Sequence, residues 1–251
     1  MREKQIKLLD ILDEYGYDIF SLNMLKDKLP DNELRPALKS LTSSGILVRL
    51  ERGKYRRKNF LDDFVVANFL AQDGGIAYWS ALNFYGLTEQ FPNIIFVQTA
   101  LQKNYTAGYP KIKFVKVKKE KLTGYSERGF GNHKYRITDI EKTIADCFDL
   151  PQYCGWYQEI IKAFNHAEIS AVKLVKYCKA TKNISAIKRL AYLTELLKKP
   201  KMEKFIDYAK ASIGEEYSLF ETGGEKTGAY IKEWKLILNM PEEEIVEIAN
   251  S

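Results

Sequence analysis

The chain has 251 residues, of which 45% are hydrophobic, and its formal net charge is +6 at pH 7. This length and composition supply enough apolar surface for a sizeable core and allow one or two domains. The first residues, MREKQIKLLD, lack the apolar segment of a signal peptide, and no apolar run is long enough to span a bilayer. We therefore expect a soluble cytoplasmic protein without membrane association, whose positive charge favours acidic partners.

The first 45 residues predict three helices. Leucines recur at helical spacing in each of them, and glycine, serine and proline stand where helices begin or end. The first helix is expected to end at Gly16, the second to run from Ser21 to Pro30, and the third to be capped by Asp31 or Asn32 and to end at Gly45.

Residues 46 to 58, ILVRLERGKYRRK, predict a short β-hairpin after the third helix. Gly53 stands where a tight turn needs a positive φ. Against the single acid Glu51, the hairpin carries six bases: Arg49, Arg52, Lys54, Arg56, Arg57 and Lys58. Charge is thus segregated along the chain, because acids outnumber bases before residue 35 and bases dominate from there to residue 58.

Three helices followed by a hairpin are the element order of a winged helix-turn-helix. The third helix would then be the recognition helix, and the hairpin would lie along a phosphate backbone. The expected DNA-facing residues of this helix are Asn32, Arg35, Lys39, Ser40, Thr42 and Ser43. The alternative is a winged helix used only for protein contacts, with a solvated basic hairpin.

The rest of the chain predicts a larger domain in which strands and helices alternate. The spacing of apolar residues and the positions of helix-breaking residues indicate helices near 60–70, 77–85, 138–150, 155–167, 170–181, 185–198, 202–211 and 242–250. They indicate strands at 94–99, 112–118, 133–137, 216–222 and 229–239. Thr138 and Glu141 would form a capping box. Segments 124–132 and 222–228 are expected to be flexible. The predicted class is α+β, with a winged helix-turn-helix at 1–59 and a mixed α+β domain at 60–251.

Four stretches together resemble the AbiEi antitoxins of type IV toxin-antitoxin systems, which act in abortive infection and phage defence. They are LRPALKSLTSSGILVRLERGKYRR, YWSALNFYGLTEQFPNIIFVQT, RITDIEKTIADCFDLPQYCGW and EWKLILN. The resemblance covers essentially the whole chain. It implies an autorepressor that binds inverted repeats in double-stranded promoter DNA through its N-terminal winged helix. It also implies a second domain that counteracts a cognate nucleotidyltransferase toxin, with or without direct contact.

In the second domain, the family pattern falls on the antitoxin-domain candidates Arg136, Asp146 and Trp234. Charged residues beside apolar neighbours need partners. Arg136 and Asp146 are therefore expected either to pair with each other or to face a partner protein.

The runner-up function is a nucleic-acid-processing enzyme of the metal-dependent nuclease type. Glu233 and Lys235 flank Trp234 in a predicted strand, which is the E-x-K element of such enzymes. The further acid they require could only be Asp207 or Glu221, and neither belongs to a recognisable strand motif. GGEKTG at 223–228 departs from a phosphate-binding loop because Glu225 precedes the lysine. We therefore expect no catalytic residue and no enzyme activity.

Metal and cofactor sites are not expected either. The three cysteines, Cys147, Cys154 and Cys178, are irregularly spaced and have only His133 and His166 as imidazole companions, which favours reduced buried thiols over a zinc site. A second basic region at 173–204 is either a set of solvated helix faces or a surface for acidic protein or RNA.

Overall fold

The computed structural model describes residues 3–104 and 110–251, and its contacts divide the chain into two compact units. The first unit holds the chain up to Val66 together with Phe130–Lys134, and the second holds Ala67–Gly129 and Tyr135–Ser251. The sequence suggested a division after Asn59. The contacts instead assign residues 60–66, and a short segment from much later in the chain, to the first unit.

The first unit consists of three helices and a three-stranded antiparallel sheet. In chain order its elements are α1 (Glu3–Glu14), β1 (Ile19–Ser21), α2 (Leu22–Leu25), α3 (Asp31–Ser43), β2 (Leu47–Glu51) and β3 (Lys54–Arg57). The strand order is β1-β3-β2. Leucines of all three helices pack around Phe20 to form its core. Strand β1 was not predicted, because three residues that pair with a strand 35 residues later give no local period.

The start of α3 also differs from the expectation. Pro30 is the N-cap, in an extended conformation, and its carbonyl accepts from the amides of Glu33 and Leu34 at 2.9 Å each. Asp31 and Asn32 therefore lie inside the first turn, where acidic Asp31 is favourable for the helix dipole.

The second unit holds the remaining elements, and its division from the first falls inside α4. These elements are α4 (Asp63–Ala71), β4 (Gly75–Ile76), α5 (Tyr78–Phe84), β5 (Ile95–Thr99), β6 (Ile112–Lys116), β7 (Tyr125–Arg128), β8 (Tyr135–Thr138), α6 (Ile140–Asp149), α7 (Tyr157–His166), α8 (Ala171–Thr181), α9 (Ile184–Leu196), α10 (Glu203–Ser212), β9 (Ser218–Leu219), β10 (Ala229–Ile231), β11 (Leu236–Leu238) and α11 (Glu242–Asn250). The mixed α+β class is confirmed.

Two sheets organise this unit. The larger has the order β6-β5-β4-β8-β7 and mixes parallel and antiparallel pairs, while the smaller has the order β10-β11-β9. The helices α5 to α11 pack into one apolar core that includes Trp234, Phe148, Phe164 and Phe205. None of the helices in the described part of the chain combines the length and apolarity needed to cross a membrane.

Three predictions about this unit are wrong. Residues 125–128 form strand β7 rather than a flexible segment, because they pair with β8. Helix α6 is capped by Asp139, whose carboxylate accepts from the Lys142 amide at 2.9 Å, so Thr138 and Glu141 form no capping box. Residues 229–239 are two strands joined by a turn, not one strand.

Candidate nucleic-acid interface

Helix α3 turns its leucines into the core and leaves most of its predicted DNA-facing residues at the surface. Asn32, Arg35, Lys39 and Ser43 are exposed, and Arg35 pairs with Asp31 one turn earlier at 3.0 Å. Ser40 differs, because its hydroxyl accepts a hydrogen bond from the Gln5 amide of α1. Ser40 is therefore a contact between helices of this unit.

A groove of about 410 Å³ lies between α3 and the β2–β3 hairpin, and we call it the α3–hairpin groove. It is lined by Leu22, Arg35, Leu38, Lys39, Thr42, Ser43, Arg49 and Tyr55. Three of these residues are cations contributed by two separate elements, and three are apolar or aromatic. The Thr42 hydroxyl is buried and has no hydrogen-bond partner among the described residues. The groove thus concentrates positive charge at the surface, with the unpaired Thr42 hydroxyl buried beneath it.

The hairpin turn consists of Arg52 and Gly53, and Gly53 has the predicted positive φ, at 76°. Its carbonyl accepts from the Leu22 amide at 2.8 Å, which ties the turn to the start of α2. Arg49 and Arg52 are exposed, whereas Lys54 pairs with Glu51 at 2.8 Å. The turn therefore exposes Arg52, whereas Lys54, the first residue of β3, is already paired with Glu51.

Two arginines at the end of β3 serve the fold of the first unit. Arg56 is buried, and its Nη1 donates to the carbonyls of Arg57, Lys58 and Phe60 at 3.1, 3.0 and 2.7 Å. Arg57 pairs with Asp13 at 2.5 Å and with Asp18 at 3.3 Å. Lys58 remains exposed. The two arginines anchor the chain after the hairpin, so their charge contributes less to the surface than the sequence suggested.

The segment 130–134 contributes to the first unit in a way that the sequence did not indicate. His133 Nε2 lies 3.0 Å from an Asp18 carboxylate oxygen, and its ring lies tilted beside that of Phe60, with centroids 4.9 Å apart. The Asn132 side chain donates to the Tyr15 carbonyl at 2.7 Å. No local pattern marks such residues, because their partners lie more than 70 positions away.

In the second unit, the buried Asp146 belongs to a polar network that is largely withdrawn from solvent. It forms an ion pair with Lys142, one turn earlier on α6, and accepts from Gln98 Nε2 at 2.6 Å. Gln98 also donates to the Tyr78 hydroxyl at 3.0 Å and accepts from the Tyr125 hydroxyl at 3.1 Å. Burial raises the pKa of the Asp146 carboxyl, and Lys142 opposes that rise. Asp146 thus links α6 to strand β5 from inside the core.

Arg136 and Trp234 also have partners within the second unit. Arg136 donates to the Gln72 carbonyl at 3.0 Å and lies 5.6 Å from the centre of the Tyr125 ring. Trp234 is buried, and its indole N–H donates to Glu195 at 2.6 Å. The suggested Arg136–Asp146 pair is therefore not formed, because each residue is engaged elsewhere.

The E-x-K residues lie in the turn between β10 and β11 rather than in a strand. Glu233 pairs with Lys210 at 2.9 Å, and Lys235, with φ of 50°, pairs with Glu215 at 2.8 Å. Within residues 3–104 and 110–251, no group of three or more histidine, cysteine or acidic side chains is placed to hold a metal ion. The three cysteines are buried and free.

The basic residues of the region 173–204 lie in different environments in the structure. Lys188 and Arg189 of α9 are buried and donate to the carbonyls of Glu216 and Leu219, which holds strand β9 against the helix. Lys173 pairs with Asp139 and Glu141. The region is thus not one continuous exposed basic surface.

Compared with known proteins, the chain matches no family model and no curated protein. Among solved structures, it is similar to the crystal structure of the Rv2827c protein from Mycobacterium tuberculosis. The match covers 100% of this chain and 96% of that one, with a TM-score of 0.67 and 14% sequence identity. At this identity, the likeness concerns the fold alone.

Proposed function

We propose that the first unit is a winged helix-turn-helix that binds double-stranded promoter DNA, with α3 in the major groove and the β2–β3 hairpin as the wing. The observation that carries the proposal is the α3–hairpin groove, where Arg35, Lys39 and Arg49 meet from two elements. Cations held this way neutralise adjacent phosphates and release counterions, which is the main source of affinity for DNA.

Within this interface, residues have different roles. Lys39, Arg49, Arg52 and Lys58 contact phosphates and set the register of the protein on the duplex. Arg35, exposed in the N-terminal half of α3, reaches a base edge, where a lost contact costs roughly 1–3 kcal/mol at one position. Arg56 and Arg57 are left out of this set, because both are largely shielded from solvent and engaged by carbonyls and acids of the unit itself, whereas the Arg35–Asp31 pair is exposed.

We further propose that the protein is a non-enzymatic AbiEi-like antitoxin that represses its own operon through inverted repeats and counteracts a nucleotidyltransferase toxin. The support is the resemblance of the four sequence stretches, together with the groove just described. Against the nuclease alternative we set the position of Glu233 and Lys235, which lie in a turn and pair with Lys210 and Glu215.

Binding is tested with the full chain by fluorescence anisotropy, using a duplex of its own promoter and a shuffled duplex of equal composition. Specific recognition predicts binding to the promoter that is at least about a thousandfold tighter. Equal affinity for both duplexes would refute the repressor. Co-expression with the cognate nucleotidyltransferase toxin that the proposal requires tests the antitoxin, and growth arrest that the protein fails to relieve would refute that part.

A further inference from the structure

A cleft of about 660 Å³ in the second unit has no role in the proposed function. One wall is the end of α7 with the α7–α8 connection, residues 165–170, and the other is the α9–α10 connection, residues 199–202. We call it the lysine cleft, after Lys199 and Lys201 in its lining. Its volume lies in the range of small-molecule sites, roughly 300–1,000 Å³.

Lys199 places a partly buried positive charge at this cleft. Its ammonium donates to the carbonyls of Asn165 and Ala167, both at 2.8 Å, and lies 5.4 Å from the centre of the Phe164 ring. These bonds use two of its three N–H donors. Burial lowers the pKa of Lys199, and no carboxylate in the described part of the chain pairs with it. The Lys199 ammonium is therefore stabilised by two backbone carbonyl dipoles, without a paired carboxylate in the described part of the chain.

The connection that carries Lys199 has an unusual backbone. Lys198 and Lys201 both adopt left-handed conformations, with φ of 50° and 59°, which residues with a side chain rarely adopt. Lys201 is exposed and lines the same cleft, together with His166, Ser170 and the carboxylate-bearing Glu168. Lys198 directly follows the C-cap of α9, where a left-handed residue is a common helix ending, whereas Lys201 is held in this conformation at the rim of the cleft.

We propose that the lysine cleft binds the oxyanion group of a small molecule, a phosphate or a carboxylate. The third N–H of Lys199 donates to the anion, and Lys201 supplies a second charge from the rim. A bound anion neutralises the desolvated ammonium, which gains more from pairing than a fully hydrated lysine does. The volume of the cleft leaves room for an organic body behind the oxyanion. Every residue that forms this cleft belongs to the second unit, whereas the α3–hairpin groove belongs to the first.

The test is isothermal titration calorimetry on the full chain at constant ionic strength, with inorganic phosphate, adenosine monophosphate and citrate as probes. Lys199→Met and Lys201→Met are expected to weaken binding of the best probe at least tenfold. Lys204→Met is the matched control, since this exposed lysine lies three residues after Lys201 and outside the lining. Lys199→Arg keeps the charge and is expected to retain binding.

The outcomes distinguish the classes of ligand and also decide whether the lysine cleft binds an anion. Tighter binding of the nucleotide than of phosphate identifies an organic phosphate, and tighter binding of citrate identifies a carboxylate. If Lys199→Met does not fold, the exposed Lys201→Met variant decides. The proposal is overturned if none of the three probes saturates the protein, or if Lys204→Met weakens binding as much as Lys201→Met.

Discussion

Replacing Lys39 and Arg49 with alanine removes two of the three cations of the α3–hairpin groove while leaving the core of the first unit intact. Both side chains are exposed, so the variant should fold. Each phosphate contact contributes about 0.9 to the slope of log affinity against log salt, so the slope should become less steep by about 1.8. Between about 50 and 200 mM salt, the wild type should therefore lose roughly twelvefold more affinity than the variant.

The assay is fluorescence anisotropy with promoter DNA at a series of salt concentrations. Its matched control is the double variant Lys4→Ala and Lys26→Ala, which removes the same charge from exposed positions of the first unit outside the groove. The control should leave the slope nearly unchanged. An unchanged slope in the Lys39 and Arg49 variant, or an equal change in the control, would show that the groove is not where phosphates bind.

Three further predictions concern stability and chemistry. Arg56→Ala should lower the free energy of unfolding of the first unit by roughly 2–3 kcal/mol in urea denaturation, since it removes a charged donor from three backbone carbonyls. A loss of DNA affinity without a loss of stability would contradict this role. Asp146→Ala should lower the free energy of unfolding by about 3–5 kcal/mol in the same assay, because Lys142 is left charged in the core. A near-neutral result would argue against the buried pair. Glu233→Gln and Lys235→Met should leave the urea midpoint nearly unchanged, as exposed pairs do; Mg²⁺-dependent DNA cleavage by the wild type that is lost in Glu233→Gln would revive the nuclease interpretation.

Elements defined by local patterns were predictable from the sequence. The helices α7 to α10 lie within two or three residues of their predicted bounds, because a 3.6-residue apolar period and nearby breakers act over a single turn. Gly53 was predictable for the same reason, since the tight turn around it depends on two residues. Strands β1 and β7 were missed because hydrogen bonds to β3 and β8 stabilise them, while their own sequences show no strand pattern.

The candidate site was only half predictable, and the hairpin arginines show why. In the sequence, Arg49, Arg52, Arg56 and Arg57 look equivalent, since each is a base near a tight turn. Their environments separate them, because Arg56 meets three carbonyls and Arg57 meets acids, while the other two face solvent. A guanidinium that is shielded from solvent and already donates hydrogen bonds within the fold gains little free energy from binding a phosphate. The distinction depends on burial, which a list of charges does not contain.

The extent of the first unit also decides how its function should be tested. A fragment that ends at Asn59 omits Phe60, whose carbonyl accepts from Arg56 and whose ring packs near His133. It also omits His133 itself, which lies beside Asp18, and Asn132, which binds the Tyr15 carbonyl. A domain of about 60 residues is marginal by the scaling of buried surface with size, so such losses are severe. Failure of that fragment to bind DNA would therefore report unfolding, whereas exposed substitutions in the full chain report the interface itself.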